Sequence, residues 1–576
     1  MPPILQQRQI IHNRWVNQST EPITYDYIVV GGGTAGCAVA CRLAARPENK
    51  VLLVEAGGAQ HALFNDMPGA YAYNLRMNNE QFWPYTSEPQ PEMNYRSLKE
   101  VHGKVLGGDS TVNAMVYGHG SPVYYDSIQK HTGARGWSYA EVLPYFRKAE
   151  NYTDPSVHNN KYLNPKNPIR LTQPHSTPPI LYKYMEAVRE MGTVSLDSDV
   201  YSGPLATIGP GMFADGVRSS SANGYIEFGR LCPKLHVQAN TVATKVLIAG
   251  GSDRQSPRAY GVQVFKNGTL STVNCSREII ISAGGYGSPH LLMLSGIGPR
   301  KHLVQHNIRP IWADLPVGSS YQNRPAISLL YEINNVSLIG HTPNLTDQQI
   351  DECLTNGKGP MCDAPRLYIT VNSKLNKQIN YTDIIYFGNV VPDSTNSTKI
   401  VGKTFTFLTR CQSKGTVRLR SSNWRDLPVI QPNLLRHPRD RLRLLDAIAQ
   451  FYYTVEKTSF KNYASVPVKP QNSKCSYCRH LPVWKCTKYH KCLIRTDATT
   501  EYHPLGAVPF GAANRPDSVL DERLRVKGIH GLRVADTSVM PVGNTYTPNT
   551  GPASVAFMVA EKAADMILQD NVGLKL

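Results

Sequence analysis

Three glycines, Gly31, Gly33 and Gly36, stand in G-x-G-x-x-G spacing, and a carboxylate, Glu55, follows 19 residues after the last of them. Residues of these types at this spacing hold a pyrophosphate and a ribose. The first glycine allows a tight turn, the second lets backbone approach the negative charge, and the third lets a helix pack closely. Thr34 and Ala35 open that helix, whose N-terminal N–H groups face the anion. An acid bonded to ribose argues against NADP but does not separate NAD from FAD. A second chemical cluster is CSYCRHLPVWKCTKYHKC, in which Cys475, Cys478, Cys486 and Cys492 supply either four zinc ligands or two disulfides. A third candidate is His503 in TTEYHPLGAVPFG, one of 17 histidines, whose imidazole can take a proton near neutral pH.

The elements that must position these residues are legible at both ends of the chain. YDYIVV (Tyr25–Val30) is a continuous apolar run of buried-strand type, AGCAVACRLAA carries small and apolar residues on one helical face, and KVLLVEAG is a second buried strand ending at the acid. Strand, glycine turn, helix and strand make the opening βαβ unit of a doubly wound fold. Near the other end, GLRVADTSVMP (Gly531–Pro541) is a short strand, and GPASVAFMVAEKAADMIL is a helix with a proline near its start. Two further loops of small residues lie between. HGKVLGGDSTVNAMVYGHG (His102–Gly120) offers a second close backbone approach, with Ser110 and Asn113 beside Gly107 and Gly108, and SAGGYGSPHLLMLSGIGP (Ser282–Pro299) runs into an apolar helix. In the middle, YITVNSKL, IIYFGNVV and TFTFLTR read as sheet strands of a second, inserted domain. Between about residues 150 and 225 periodicity decides little.

Composition excludes several classes. The 576 residues are 41% hydrophobic and 18% charged, ordinary for a globular chain of two to four domains. No apolar run reaches the roughly 18 residues needed to span a bilayer. Sixty-one basic against 43 acidic residues give a net charge of +18. The basic residues are scattered, however, and RHPRDRLR (Arg436–Arg443), the densest cluster, contains an aspartate. No nucleic-acid partner is expected. Eleven cysteines and eight Asn-X-Ser/Thr sequons, at Asn17, Asn151, Asn267, Asn274, Asn335, Asn344, Asn380 and Asn396, favour a secreted glycoprotein. The N-terminus MPPILQQRQIIHNRW lacks an apolar signal core, which is reconciled with secretion if Met1 begins a processed chain.

Five motifs in order, the βαβ opening, GKVLGGDSTVN, GSPHLLMLSGIG, YHPLGA and GLRVADTSVMP, make the chain resemble the glucose–methanol–choline (GMC) oxidoreductases, FAD-dependent alcohol oxidases, dehydrogenases and a few lyases. The resemblance implies an α/β fold, α+β overall, in which a Rossmann-like FAD-binding domain (residues 20–150, 226–315 and 501–576) carries an inserted substrate domain (151–225 and 316–500) built on an antiparallel sheet. It implies that Gly31, Gly33, Gly36 and Glu55 hold the ADP half of FAD. Gly107, Gly108, Ser110, Asn113 and Ala114 would line the pyrophosphate and flavin, Val242 the adenine side, and Asp536 the ribityl chain. Some members attach FAD through a histidine where this chain has Val112, so the cofactor is expected to be non-covalent.

By the same resemblance, His503 is the acid/base residue. The usual partner, a second His or an Asn, aligns with Gly551, which has no donor. Asn549 is expected to take that role, with Tyr546 or Asn544 as substitutes; a competing reading has Asn549 only capping the helix begun by Pro552. The helix start at Gly551 and Pro552 would face the flavin pyrimidine and stabilise its reduced, anionic form. Secreted arthropod members resemble this chain around the cysteine cluster, implying Cys478–Cys492 and Cys475–Cys486 disulfides in preference to zinc. Cys353–Cys362 would close a short loop, while Cys37 and Cys41 would be core thiols. The implied activity is oxidation of an alcohol by FAD with O2 as acceptor, the specific expectation being an aromatic alcohol or mandelonitrile, converted to benzoyl cyanide. Competing readings are a dehydrogenase using a quinone-type acceptor, a redox-silent hydroxynitrile lyase, and, because of Gly551, a binding protein with a dead site.

Overall fold

A computed structural model describes residues 24–571 apart from 61–64, 72–79, 155–163, 193–202, 228–231, 233, 251–255, 313, 341–345, 366, 379, 393–399 and 544–549. Two seven-stranded sheets organise it. The first begins with the expected βαβ unit: strand Tyr25–Val30, helix Thr34–Ala44 and strand Val51–Val54, the strands parallel in register Tyr27 to Val51. His236–Gln238 adds on one side and Thr269–Ile281 on the other. The latter strand has two jobs. Its second half pairs in parallel with Tyr25–Val30 and with Leu532–Val534, while its first half turns into an antiparallel meander with Arg258–Lys266 and Val242–Ala249. The parallel strands are apolar along their whole length because helices cover the sheet, and Ile28, Val29, Leu53, Ile280 and Val534 are buried completely. The final helix, Pro552–Asp570, packs beside helix Thr34–Ala44, so both ends of the chain share one core.

The second sheet is antiparallel throughout, in the order Ala464–Ser465, Pro325–Ile333, Ile400–Leu408, Ile384–Pro392, Leu367–Val371, Leu205–Ile208, with Thr499–Thr500 also paired to Pro325–Ile333. Side chains alternate across its faces. Ile327, Leu329, Leu367, Ile369, Ile384 and Leu408 point to helix Pro438–Lys457, meeting Leu444, Ile448 and Phe451. The opposite face, with Ser328, Tyr368, Phe387, Phe405 and Phe407, lines a cavity shared with the first sheet. The basic run at Arg436–Arg443 opens the same helix and is half consumed by structure. Asp440 accepts from the Gln412 and Ser413 N–H groups, and the buried Arg443 pairs with Asp383 at 3.1 Å.

The cysteine pairing differs from expectation. Cys475 is bonded to Cys492 and Cys478 to Cys486, not Cys478 to Cys492 and Cys475 to Cys486. Helix Thr487–Asp497 decides this: Cys486 sits at its N-cap within reach of Cys478, while Cys492 lies further along the helix beside the buried Cys475. Cys353 and Cys362 are joined. Cys41, expected as a thiol, is bonded to Cys232, whereas Cys37 remains a thiol that burial pushes up to about 12. Among the sequons, Asn267, Asn274, Asn335 and Asn380 are exposed, and Asn17, Asn344 and Asn396 lie outside the described residues. Asn151 departs from expectation. It sits buried in strand Glu150–Tyr152 with its amide nitrogen donating to the Pro165 carbonyl.

Candidate active site

The cavity between the sheets measures about 1000 Å³. That is the upper end of the roughly 300–1,000 Å³ range of small-molecule sites, suited to a large cofactor with a substrate beside it. Its floor is built by close backbone approach. Gly31 has φ +100°, and a Cβ there would lie 2.5 Å from the Ser282 carbonyl oxygen; at Gly36 a Cβ would lie 1.8 Å from the Gly31 oxygen. Gly33, by contrast, leaves room for a Cβ, whose one near neighbour would be Gly108 Cα at 3.9 Å, and with Thr34 and Ala35 it lines the cavity at the helix start. The second glycine loop leans on the first: Ser110 N–H donates to Thr34 Oγ1 at 3.1 Å, and Thr34 Oγ1 donates to the Gly107 carbonyl at 3.4 Å. Gly108, Asn113 and Ala114 line the cavity, and Val112 does so too. Gly107 and Ser110 do not. They stand one layer behind, because the fully buried Ser110 hydroxyl donates to the Gly107 carbonyl and accepts from Ser221 N–H, tying the loop together.

Glu55 ends the second strand at the cavity wall. Its Oε2 accepts from Gly32 N–H and its Oε1 from Gly57 N–H, each at 2.7 Å, and burial nevertheless pushes the carboxyl up to about 7. Val242 lines the same end. Asp536 accepts from Gly284 N–H at 2.9 Å, from the Ser288 hydroxyl and from Ser538 N–H, and burial raises its pKa too. Asn113 uses its oxygen to accept from Met115 N–H and from Arg218, leaving its amide nitrogen without a partner among the described residues. Gly551 is the N-cap of helix Pro552–Asp570, with no side-chain cap and open space where a Cβ would stand, and Pro552, Ala553 and Ala556 continue the wall.

His503 lies at the other end of the cavity. Its backbone N–H donates to Asn323 Oδ1 at 3.1 Å, and its Nδ1 is 2.9 Å from Glu501 Oε2. Arg324 Nη1 reaches Glu501 Oε2 at 3.3 Å and donates to the Thr550 carbonyl at 3.0 Å. A carboxylate only accepts, so Nδ1 carries the proton and Nε2 keeps the lone pair. That leaves Nε2 as the basic nitrogen, with no partner among the described residues. Asn549, Tyr546 and Asn544 lie outside the described residues.

Sequence reasoning missed Glu501 and Arg324. Glu501 stands two residues before His503, but it is the left-handed turn at Tyr502 (φ +62°), not strand alternation, that brings the two side chains together; Arg324, 177 residues from Glu501, left no local signal. It also missed the pair His102–Asp109, 2.9 Å apart in the wall. Burial opposes charge on His102, but Asp109 and Glu100 outweigh it and raise the imidazole's pKa.

A mixed sheet whose parallel part carries a glycine-rich cradle, and a separate sheet facing it across a cavity that also holds a histidine, define the arrangement of a dinucleotide-binding protein with a second wall to its cavity. Comparison with known proteins makes the class specific. The GMC oxidoreductase family matches in two parts, its N-terminal domain over residues 25–326 and its C-terminal domain over 411–557. Similar proteins include the oxygen-dependent choline dehydrogenase of Rhizobium etli (strain CIAT 652), 31% identical with 94% of this chain and 95% of that one covered. The glucose dehydrogenase [FAD, quinone] of Drosophila pseudoobscura pseudoobscura is also 31% identical, with 94% of this chain and 86% of that one covered. Among solved structures, a formate oxidase superposes with TM-score 0.84 at 23% identity, covering 97% of this chain and 100% of that one. A fungal aryl-alcohol oxidase gives TM-score 0.78 at 20% identity, covering 96% and 100%. The chain belongs to the GMC oxidoreductase family and is an FAD-dependent oxidoreductase.

The residues present fit that cofactor. Gly284 and Gly551 face open cavity where side chains would intrude, Gly33 lines it with only Gly108 Cα near, two helix starts present uncapped N–H groups to it, and Glu55 stands at the strand end. Among the described residues no helix is long and apolar enough to cross a membrane.

Proposed function

We propose that the protein oxidises an aromatic alcohol, mandelonitrile being the specific candidate, with O2 as the final acceptor. The observation that carries the reading is the substrate wall. Across the second sheet the register aligns Ser328, Phe405, Phe387 and Tyr368 in one row on the cavity face, and Phe407 stands between that row and His503, its ring 6.4 Å from the imidazole. An aryl group lies on such a row by stacking and edge contact, each pair contributing roughly 0.5–1.5 kcal/mol beyond area burial. The next row, Leu330, Lys403 and Asn389, turns polar.

His503 Nε2 takes the hydroxyl proton of the substrate, and the aromatic wall orients the ring and keeps water from the carbinol carbon. Bound FAD would supply the two-electron acceptor for the carbinol hydrogen and the route to O2, the overall reaction being mandelonitrile plus O2 to benzoyl cyanide plus hydrogen peroxide. Gly33, Gly108 and Glu55 would hold the ADP half of FAD and Asp536 and Asn113 its ribityl and flavin end, and the start of helix Pro552–Asp570 would favour negative charge there. Val112 offers no nucleophile at the position where some relatives attach the cofactor, so FAD is held non-covalently. Asn549 serves as the second polar group.

The domains divide as 20–150, 226–315 and 501–576 for the cofactor, and 151–225 and 316–500 for the substrate. Supporting this division, the first sheet draws its strands from residues 25–54, 236–281 and 532–534. Four disulfides support secretion. A second reading, a dehydrogenase with a quinone-type acceptor, is favoured by the Drosophila relative whose name carries a quinone. Steady-state assay of mandelonitrile and benzyl alcohol separates them: stoichiometric peroxide supports the oxidase, whereas quinone or dye reduction with little peroxide supports the dehydrogenase. Cyanide release without either is the lyase.

A further inference from the structure

We propose that Glu501, held in place by Arg324, is the positioning residue that makes His503 a base at Nε2, and that the same arginine fixes the start of the last helix relative to that base. The inference rests on the reading of His503 above and assigns what stands behind it.

The geometry is specific. Glu501 and Arg324 are both nearly inaccessible, with side-chain exposures of 5% and 3%, so their 3.3 Å contact is a buried ion pair in which each supplies the other's countercharge. The carboxylate oxygen facing Arg324 is the one facing His503 Nδ1, at 2.9 Å. Arg324 Nη1 is also 3.5 Å from Nδ1, but it has closer acceptors in Glu501 and the Thr550 carbonyl. Nδ1–H therefore points to the carboxylate, which holds the ring, while the backbone N–H bond to Asn323 anchors the main chain that carries it. When Nε2 takes a proton, the new positive charge finds Glu501 beside it; the other groups facing the imidazole are Arg324, the edge of Phe407 and, further off, Asp109. Thr550 precedes the uncapped Gly551, and its hydroxyl donates to the Gly118 carbonyl. One guanidinium thus joins the base to the loop that begins helix Pro552–Asp570. This arrangement answers the absence of a donor at Gly551: the base has its orienting partner behind it, two residues earlier in the chain.

The test uses Glu501→Gln, Glu501→Asp and Glu501→Leu in the FAD-loaded enzyme, with His503→Ala alongside. In Glu501→Gln, which keeps a hydrogen-bond acceptor for Arg324, kcat for mandelonitrile or benzyl alcohol falls by about 10²–10⁴, the scale seen when an orienting carboxylate is lost, while KM and bound FAD stay near wild type; Glu501→Leu, which leaves Arg324 buried without its countercharge, lowers Tm as well. Glu501→Asp retains more activity than Glu501→Leu. A second readout needs no substrate: carbethoxylation of His503, followed by peptide mapping across pH, reports the neutral imidazole. In Glu501→Gln its midpoint moves to lower pH, because the imidazolium loses its anion and keeps Arg324. Wild-type kcat and an unmoved midpoint in Glu501→Gln overturn the proposal, as does a loss of activity in that variant that merely tracks lost FAD or lowered Tm. Turnover retained in His503→Ala refutes the underlying reading of the base instead, and the carbethoxylation midpoint still decides whether Glu501 acts on the imidazole.

Discussion

Gly108→Ala is the sharpest probe of the cofactor cradle. Gly108 adopts φ +53°, ψ −134°, a region closed to residues with a Cβ, and occupying it costs about 1–3 kcal/mol. The added methyl would also stand 2.7 Å from Gly33 Cα and 3.3 Å from Thr34 N, both backbone atoms that cannot swing aside. Ordinary contact begins at 3.4 Å, so the two glycine loops must part by 0.7 Å. That separation stretches the Ser110 N–H to Thr34 Oγ1 bond beyond its 3.1 Å and the Thr34 Oγ1 to Gly107 bond beyond 3.4 Å. Each is worth about 0.5–1.5 kcal/mol. The damage falls on the loops proposed to hold the pyrophosphate, so FAD affinity should drop by about 10- to 1,000-fold, at 1.4 kcal/mol per decade. Titrating stripped protein with FAD, followed by flavin fluorescence quenching and a melting curve, measures this. Gly192→Ala is the control: φ is +91° but nothing lies within 4 Å, so it should lower Tm slightly and leave FAD affinity alone. Wild-type FAD affinity in Gly108→Ala would refute the reasoning.

Other outcomes follow from the same geometry. Phe407→Ala should lower kcat/KM for benzyl alcohol by about 10- to 200-fold relative to a small aliphatic alcohol, since it removes the ring between the aryl row and His503; an unchanged ratio speaks against the aromatic wall. Glu100, fully buried and pushed up to about 7 by burial, contributes stability that is complete below its ordinary value near 4.5 and is lost as pH rises through 7. Glu100→Gln keeps the bond from Asn323 Nδ2 and removes the charge. Its Tm should therefore fall less than wild type between pH 5 and 8, a difference of up to about 3 kcal/mol; parallel Tm curves contradict this. Peptide mapping of unreduced protein should recover Cys475–Cys492 and Cys478–Cys486 cross-links and none joining Cys478 to Cys492.

Legibility in the sequence followed locality. The βαβ opening was readable because Tyr25–Val30 and Val51–Val54 are apolar throughout and the glycines between them have one use. Strands Leu367–Val371, Ile384–Pro392 and Ile400–Leu408 were readable from their Tyr, Thr, Val and Phe content. Strand Leu205–Ile208 was not, being four residues long and defined only by its pairing with Leu367–Val371. The double use of Thr269–Ile281 was equally hidden, since a strand's sequence does not say where its neighbours change. His503 was singled out through its motif and lies in the cavity wall, while Arg324 joins it by packing alone. Cysteine pairing failed for a physical reason too: four cysteines admit three connectivities, and the choice belongs to helix Thr487–Asp497. Ser110 had the right type for a cavity donor and was spent instead on the loop's own hydrogen bonds.

The central claim is that an aromatic alcohol gives up its hydrogen in this cavity, with His503 as base. Anaerobic mixing of the FAD-loaded enzyme with mandelonitrile or benzyl alcohol tests it in a single turnover. The account predicts that the visible flavin absorbance bleaches within the turnover time, returns with peroxide when air is admitted, and persists unbleached in His503→Ala. Product formed while the flavin stays oxidised, or bleaching at the wild-type rate in His503→Ala, would contradict it.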